Sequence, residues 1–155
     1  MKIPMDSSLL TLYERMLDPN DRQSRTLRPN LRYSAIEKEP FDIIDALEII
    51  HKKIGSHFCK LPSIKMALKQ NTKADESLAE CCVKGLDIQK INKRVDELND
   101  PDKDLNQECS LLAEAEACGV NILLTQNGAF KQNFQYKANN VRILHPIDYA
   151  EEIRQ

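Results

Sequence analysis

The chain has 155 residues, with 24 acidic and 22 basic side chains and a formal net charge of −2. This length predicts one domain over residues 1–155 with a hydrophobic core. A hydrophobic share of 41% and only four glycines exclude collagen-like and wholly disordered classes. No apolar run approaches the roughly 20 residues that span a bilayer. Because Asp6, Ser7 and Ser8 interrupt any secretory pattern after Lys2, we expect a cytoplasmic protein without membrane contact.

The cysteines do not form a zinc pattern. None of them takes the C-x-x-C spacing, and the three histidines supply no second pair at ligand spacing. Such cysteines are typical of buried, reduced thiols in a reducing compartment. We therefore predict free thiols and no zinc site. The five cysteines are Cys59, Cys81, Cys82, Cys109 and Cys118.

The first half of the chain predicts two strands, each followed by a helix. Residues 2–5 are extended and lead to Asp6, an N-cap for a helix whose apolar positions recur at helical spacing up to Met16. Residues 19–40 form a polar stretch with three prolines. An amphipathic helix over residues 41–54 ends at Gly55. A second strand over residues 57–62 precedes a short helix capped by Ser63.

The second half continues the alternation. Residues 71–99 predict charged peripheral helices, which residues 99–102 interrupt. A helix over residues 104–118 with Gly119 as its C-cap leads to a strand over residues 121–125. A loop with Gly128, a strand over residues 141–144 and a helix opened by Pro146 complete the chain. Strands that alternate with helices predict an α/β fold with a parallel sheet covered on both faces.

Polar side chains follow two of the predicted strands. Asp6 follows the first strand, and Thr125, Gln126 and Asn127 follow the strand over residues 121–125. Ligands of open parallel sheets collect at the carboxyl ends of strands, so these residues are expected to share one crevice. Asp104 and Glu108, four residues apart near a helix start, would add two carboxylates on one face.

Carboxylates that converge on one crevice repel each other unless a cation lies between them. Mg²⁺ or Mn²⁺ fits, because hard cations take oxygen ligands. Such an ion polarises a phosphodiester and activates a bound water, so the predicted chemistry is metal-assisted phosphodiester hydrolysis. The alternative is structural: Asp6 would only cap its helix, and Asp104 and Glu108 would only favour the helix dipole.

Three pieces of the chain follow the order of a known family. They are the strand ending in Asp6-Ser7-Ser8, residues 104–130 (DLNQECSLLAEAEACGVNILLTQNGAF) and the tail NVRILHPIDYAEEI. Together they resemble a PIN domain over essentially the whole chain, a family that includes the VapC-type toxins of bacterial toxin-antitoxin pairs. The resemblance implies a three-layer α/β/α sandwich with a central, mainly parallel sheet of four to five strands. It also implies a Mg²⁺- or Mn²⁺-dependent ribonuclease, with an antitoxin and a second copy of the chain as partners.

The resemblance also assigns roles to single residues. Asp6 matches the first acidic position of the family and Glu108 the third, with Asp104 one turn earlier as a partner that assists or positions water. Asn127 falls on the fourth position, where the family usually has aspartate. The implied site therefore consists of Asp6, Asp104, Glu108 and Asn127, with the first three at the metal.

The second acidic position departs from the family pattern. Ala67 stands there, next to Lys65, and Glu48 on the preceding helix is a candidate substitute. Two functions stay open as a result. One is a metal-dependent endoribonuclease, and the other is a catalytically impaired PIN-like module that binds RNA or a protein.

The chain has one local basic run, with no acidic residue between Arg22 and Ile36. Because the net charge is negative, any grip on an RNA backbone has to come from such a patch. The alternatives are a solvated loop or a segment held by acidic side chains of an antitoxin. The run consists of Arg22, Arg25, Arg28 and Arg32, and Lys131, Lys137 and Arg142 are candidates to extend it.

Overall fold

The structure, a computed structural model, describes residues 2–20, 43–63, 78–81 and 85–154. No helix within these ranges is long and apolar enough to cross a membrane. The helices are α1 (Ser7–Leu17), α2 (Ile43–Ile54), α3 (Ile88–Leu98), α4 (Asn106–Ala117), α5 (Gly128–Phe134) and α6 (Pro146–Arg154). The strands are β1 (Ile3–Pro4), β2 (Phe58–Lys60), β3 (Ala79–Glu80), β4 (Ile122–Leu124) and β5 (Arg142–Leu144).

The described strand pairs are all parallel. β2 lies between β1 and β3 in one sheet, and β4 pairs with β5 in another. A parallel bridge between Met5 and Leu124 connects the end of β1 to β4. The predicted α/β class with parallel strands is therefore confirmed. Strands β1, β2, β4 and β5 are mostly apolar and buried, whereas both residues of β3 are exposed.

The segment from β1 to α1 forms as the sequence predicts. Asp6 caps α1, since its side chain accepts a hydrogen bond from the backbone N–H of Leu9. The Tyr13 ring packs edge-on against Phe58 of β2, with 5.4 Å between the ring centroids. Burial, and then the nearby Glu14 carboxylate, raise the pKa of Tyr13 to about 12. The apolar face of α1 thus packs against the sheet and fixes the position of the helix that Asp6 caps.

Helices α3 and α4 are joined by a charged contact. The Arg94 guanidinium binds both carboxylate oxygens of Glu116, at 2.7 and 3.2 Å, and donates to the carbonyl of Lys137 at 2.6 Å. Such a bidentate pair fixes geometry as well as charge. At the end of α4, Gly119 takes a φ of 71°, a left-handed conformation that glycine adopts without strain.

Two elements differ from the sequence-based prediction. Within the stretch predicted as helical, residues 79–80 form the strand β3, because the buried Leu78 and Cys81 hold this segment against β2. After β4, the predicted loop is the helix α5, capped by Asn127. Phe130 and Phe134, four residues apart, pack together at 5.6 Å between ring centroids and bury one side of α5.

The prediction that the cysteines are reduced is wrong for three of them. Cys59 at the centre of β2 and Cys81 after β3 form a disulfide, with 5.2 Å between their Cα atoms. Cys118 is disulfide-bonded as well. Only the tertiary structure brings these residues within bonding distance, because they are far apart in the chain. Cys109 is a buried free thiol, as predicted.

A buried carboxylate ties α4 to the residues after β2. Glu114 accepts hydrogen bonds from the backbone N–H and the hydroxyl of Ser63, the latter at 2.5 Å. Burial raises the pKa of Glu114, and the hydrogen bonds from Ser63 oppose this rise. Ser63 was predicted to cap a helix. It is itself helical, and Glu114 on another helix satisfies its backbone donor.

His145 makes the stability of the C-terminal helix sensitive to acid. It precedes α6, and its Nδ1 accepts the backbone N–H of Ile147 at 3.1 Å. Burial lowers the pKa of His145 below 6.5, and the Asp148 carboxylate opposes this shift. The folded state therefore binds fewer protons than the unfolded state just below pH 6.5, so stability is lost as the pH falls through this range.

We expect the His145→Asn variant to resist this loss. Asparagine also caps a helix but does not titrate, whereas protonated His145 loses its acceptor, at a cost of about 1 kcal/mol. That cost corresponds to roughly 2 to 4 °C in Tm for a chain of this size. Thermal unfolding at pH 7.5 and 5.5 measures the effect. An equal fall in Tm for the variant and the wild type would contradict it.

Candidate functional site

The carboxyl ends of β1 and β4 lie next to each other. The backbone N–H of Asp6 donates to the carbonyl of Leu124 at 2.9 Å, which continues the bridge between the two strands. Thr125 follows directly and donates its own N–H to Leu144 of β5 at 3.0 Å. The predicted meeting of Asp6 with the residues after β4 is therefore present in the structure.

The Asp6 carboxylate is buried and held by three donors. Its Oδ1 accepts the Ser8 hydroxyl at 2.6 Å and the Leu9 N–H at 3.2 Å. Its Oδ2 accepts the Thr125 hydroxyl. A carboxylate offers about four lone-pair positions. Donors among the described residues occupy three of them, which leaves one position on Oδ2 without a donor in that part of the chain.

Thr125 and Asn127 form one side of this site. The Thr125 hydroxyl accepts the backbone N–H of Asn127 at 2.9 Å while it donates to Asp6. The Asn127 Oδ1 accepts the N–H of Ala129 at 3.0 Å and caps α5. Asn127 is therefore partly committed to the helix. What it retains for a ligand is one lone pair and the two donors of its amide nitrogen.

The start of α4 lies beside the start of α1. Gln107 donates from Nε2 to the Ser7 hydroxyl oxygen at 2.8 Å. Glu108, the next residue, is half-buried in the first turn of α4. The Glu108 side chain makes no hydrogen bond or ion pair among the described residues. The first turn of α4, which contains Glu108, therefore contacts the first turn of α1, which Asp6 caps.

Asp104 does not share a helix face with Glu108, which corrects the prediction of two stacked carboxylates. The helix begins at Asn106, and Leu105 occupies the N-cap position. Leu105 has a non-helical backbone conformation and packs against the hydrophobic core. Asp104 therefore lies in the exposed segment before the helix. Its role in positioning water stays a prediction.

The other residues singled out in the sequence have different outcomes. Arg22, Arg25, Arg28 and Arg32 fall outside the described residues, and so do Lys65 and Ala67. Glu48 is half-buried on α2, which packs against α1 and α6. Arg142 pairs with Glu152 at 2.5 Å, and Lys137 lies over the rings of Phe134 and Tyr136 at 5.8 and 5.5 Å. The charge of Arg142 is thus already compensated by an acidic partner.

Two contributors to the site, Ser8 and Gln107, were not recognised as such in the sequence. Thr125 and Gln126 lie in the polar segment after the strand, but periodicity does not show that the Thr125 hydroxyl faces Asp6. Gln126 donates from Nε2 to the Ser8 carbonyl at 2.9 Å, a contact across 118 residues. A long-range contact of this kind leaves no local pattern.

Asp6 and Glu108 are the two carboxylates near this edge that the sequence predicts as ligands of a small divalent cation. Mg²⁺ usually binds through one or two carboxylates and keeps several waters. Asp6 offers one position on Oδ2, and Glu108 offers a carboxylate without a partner in the described part of the chain. Within that same part, no group of three or more His, Cys, Asp or Glu side chains is arranged to hold a metal ion. The Mg²⁺ or Mn²⁺ ion therefore stays a prediction.

Comparison of the chain with protein-family models, with curated proteins and with solved structures finds no match. The function proposed below therefore rests on the residues of this chain and their contacts.

Proposed function

We propose that the protein is a metal-dependent endoribonuclease of the PIN-domain type. One observation carries the proposal: Asp6, Thr125 and the first turn of α4 are hydrogen-bonded into one site at the carboxyl ends of β1 and β4. This is the edge at which parallel sheets bind ligands. The oriented Asp6 carboxylate, together with the Glu108 carboxylate that has no partner among the described residues, suits hydrolysis with Mg²⁺ or Mn²⁺.

The strand order supports the fold that this proposal requires. If the bridge between Met5 and Leu124 joins the two sheets, the strands follow the order β3-β2-β1-β4-β5. Helix α2 packs on α1 and α6, and α3 packs on α4, which supports a helix layer on each face. Both observations favour a three-layer sandwich with a five-stranded parallel sheet.

Each residue of the site has a task in the proposed reaction. A bound Mg²⁺ or Mn²⁺ would polarise the phosphodiester and lower the pKa of a water molecule. Asp6 and Glu108 would hold the ion. Thr125 and Ser8 keep the Asp6 carboxylate in one orientation, because each donates to a different oxygen. The Asn127 amide nitrogen is a donor suited to a phosphate oxygen.

A second function is favoured by a different observation. No third carboxylate joins Asp6 and Glu108 among the described residues, and Asn127 contributes no charge. A site with so few charges suits a catalytically impaired PIN-like module that binds RNA or a protein. Cleavage distinguishes the two functions, because a binding module retains RNA without cutting it.

The test uses the full chain with end-labelled single-stranded and hairpin RNA. We expect cleavage with millimolar Mn²⁺ and none with excess EDTA. Glu108→Gln should lower the cleavage rate by about 100-fold or more, because it removes one of two charged ligands. Glu151→Gln makes the same change at an exposed position of α6 and should leave the rate unchanged. Binding of RNA without cleavage would replace the enzyme by the binding module. Intact, unbound RNA would overturn the enzyme and the RNA-binding form of the module, which leaves only a module that binds a protein.

A further inference from the structure

Two glutamine side chains join the parts of the candidate site, and within the described ranges neither is hydrogen-bonded to a carboxylate. Gln107 donates to the Ser7 hydroxyl oxygen at 2.8 Å, and Gln126 donates to the Ser8 carbonyl at 2.9 Å. Both contacts span 100 residues or more of sequence. We propose that Gln107 and Gln126 are positioning residues that set the relative placement of Asp6, Glu108 and Asn127. This inference rests on the proposed function.

The Gln107 contact fixes the position of a helix turn that has no side-chain cap. Leu105 at the N-cap of α4 makes no side-chain hydrogen bond to the helix, so the first turn lacks the usual local constraint. Gln107 instead ties this turn to Ser7, the residue after Asp6. Glu108 is the residue after Gln107. The contact therefore couples the two turns that carry the proposed metal ligands.

The Gln126 contact does the same for the loop after β4. Its two neighbours are Thr125, which donates to Asp6, and Asn127, which caps α5. The amide of Gln126 reaches the first turn of α1 at the Ser8 carbonyl, and the Ser8 hydroxyl donates to Asp6. The three chain segments of the site thus meet at two consecutive residues, Ser7 and Ser8.

Positioning of this kind changes metal affinity more than fold stability. Both contacts are partly or fully exposed, and hydrogen bonds of this kind contribute little to stability. Groups that orient metal ligands, by contrast, typically change metal affinity by about 10- to 100-fold when they are removed. Gln107→Met keeps the length of the side chain and removes its donors. We expect it to weaken Mn²⁺ binding about 10-fold and to leave Tm within about 3 °C of the wild type.

The experiment is a titration of the full chain with Mn²⁺, followed by electron paramagnetic resonance, on Gln107→Met, Gln126→Met and Ser7→Ala. Gln89→Met on the exposed face of α3 is the matched control and should bind Mn²⁺ like the wild type. If Gln107 acts through Ser7, the double variant Ser7→Ala with Gln107→Met should bind Mn²⁺ as tightly as the weaker-binding single variant. At saturating Mn²⁺ we expect a lower kcat for RNA cleavage with an unchanged KM for RNA.

The outcomes separate this inference from the proposed function. One outcome is that the wild type binds Mn²⁺ and cuts RNA while Gln107→Met and Gln126→Met bind Mn²⁺ equally tightly. This outcome would overturn the positioning role but not the proposed enzyme. If the double variant loses Mn²⁺ affinity by the product of the two single losses, Gln107 does not act through Ser7. A wild-type protein that neither binds Mn²⁺ nor cuts RNA would overturn both the inference and the proposed function.

Discussion

Asp6→Asn is expected to lower Mn²⁺-dependent RNA cleavage by about 1000-fold while the protein stays folded. The substitution removes the charge from one of two proposed metal ligands, and a metal ion stabilises the transition state by several kcal/mol. Asparagine is as good an N-cap as aspartate, so α1 keeps its cap. Its amide oxygen can still accept the hydrogen bonds that the Ser8 hydroxyl and the Leu9 N–H donate to Asp6 Oδ1. The cleavage rate and Tm, measured on one preparation, check both halves of this expectation.

The matched control for Asp6→Asn is Asp87→Asn. Asp87 caps α3 by accepting the N–H groups of Gln89 and Lys90 at 3.1 and 3.2 Å, so it has the same role in a helix away from the site. We expect this variant to cleave RNA at the wild-type rate. Equal activity of the two variants would mean that Asp6 is only a helix cap. The binding module or another function would then replace the enzyme.

Loss of the disulfide between Cys59 and Cys81 is expected to cost about 3 kcal/mol of unfolding free energy. The bond closes a loop with a sequence separation of 22 residues, and a cross-link of this span restricts the unfolded chain by about that amount. For a protein of this size the cost corresponds to a fall of roughly 6 to 12 °C in Tm. The double variant Cys59→Ala with Cys81→Ala, measured by calorimetry, gives the value without leaving an unpaired thiol at either position.

Cys109→Ala is the control for lost packing in that experiment. Cys109 is a buried free thiol, so its replacement removes a sulfur from the core without removing a cross-link. We expect a fall in Tm that is well under half of that of the double variant. If the Tm of the double variant falls by no more than twice the fall in Cys109→Ala, the bond between Cys59 and Cys81 adds no stability beyond packing.

The elements that the sequence predicts well are those with strong local signals. Asp6 is both an N-cap and the end of a strand, and each signal lies within four residues of it. Gly119 ends α4 because a left-handed residue is needed there. Cys109, Leu112 and Ala115 lie on the buried face of α4, as their spacing indicates. In each case neighbours in the chain contain the information.

The elements that the sequence predicts badly depend on distant partners. β3 is only two residues long, and its pairing with β2 makes it a strand. The helix over residues 104–118 begins later than predicted because Leu105 has a non-helical backbone conformation and packs against the core. α5 was missed because Gly128 is a weak helix former, although the Asn127 cap and the spacing of Phe130 and Phe134 are signals for it.

The sequence by itself determined the alternation of strands and helices, and the polar residues that follow β1 and β4. Periodicity and caps are local, so they can be recognised without the fold. Only the tertiary structure decided that Thr125 donates to Asp6, that Gln107 and Gln126 reach the first turn of α1, and that Cys59 bonds to Cys81. These contacts join residues that are distant in the chain. Their partners depend on how the strands pair and on how α4 packs, and a local pattern specifies neither.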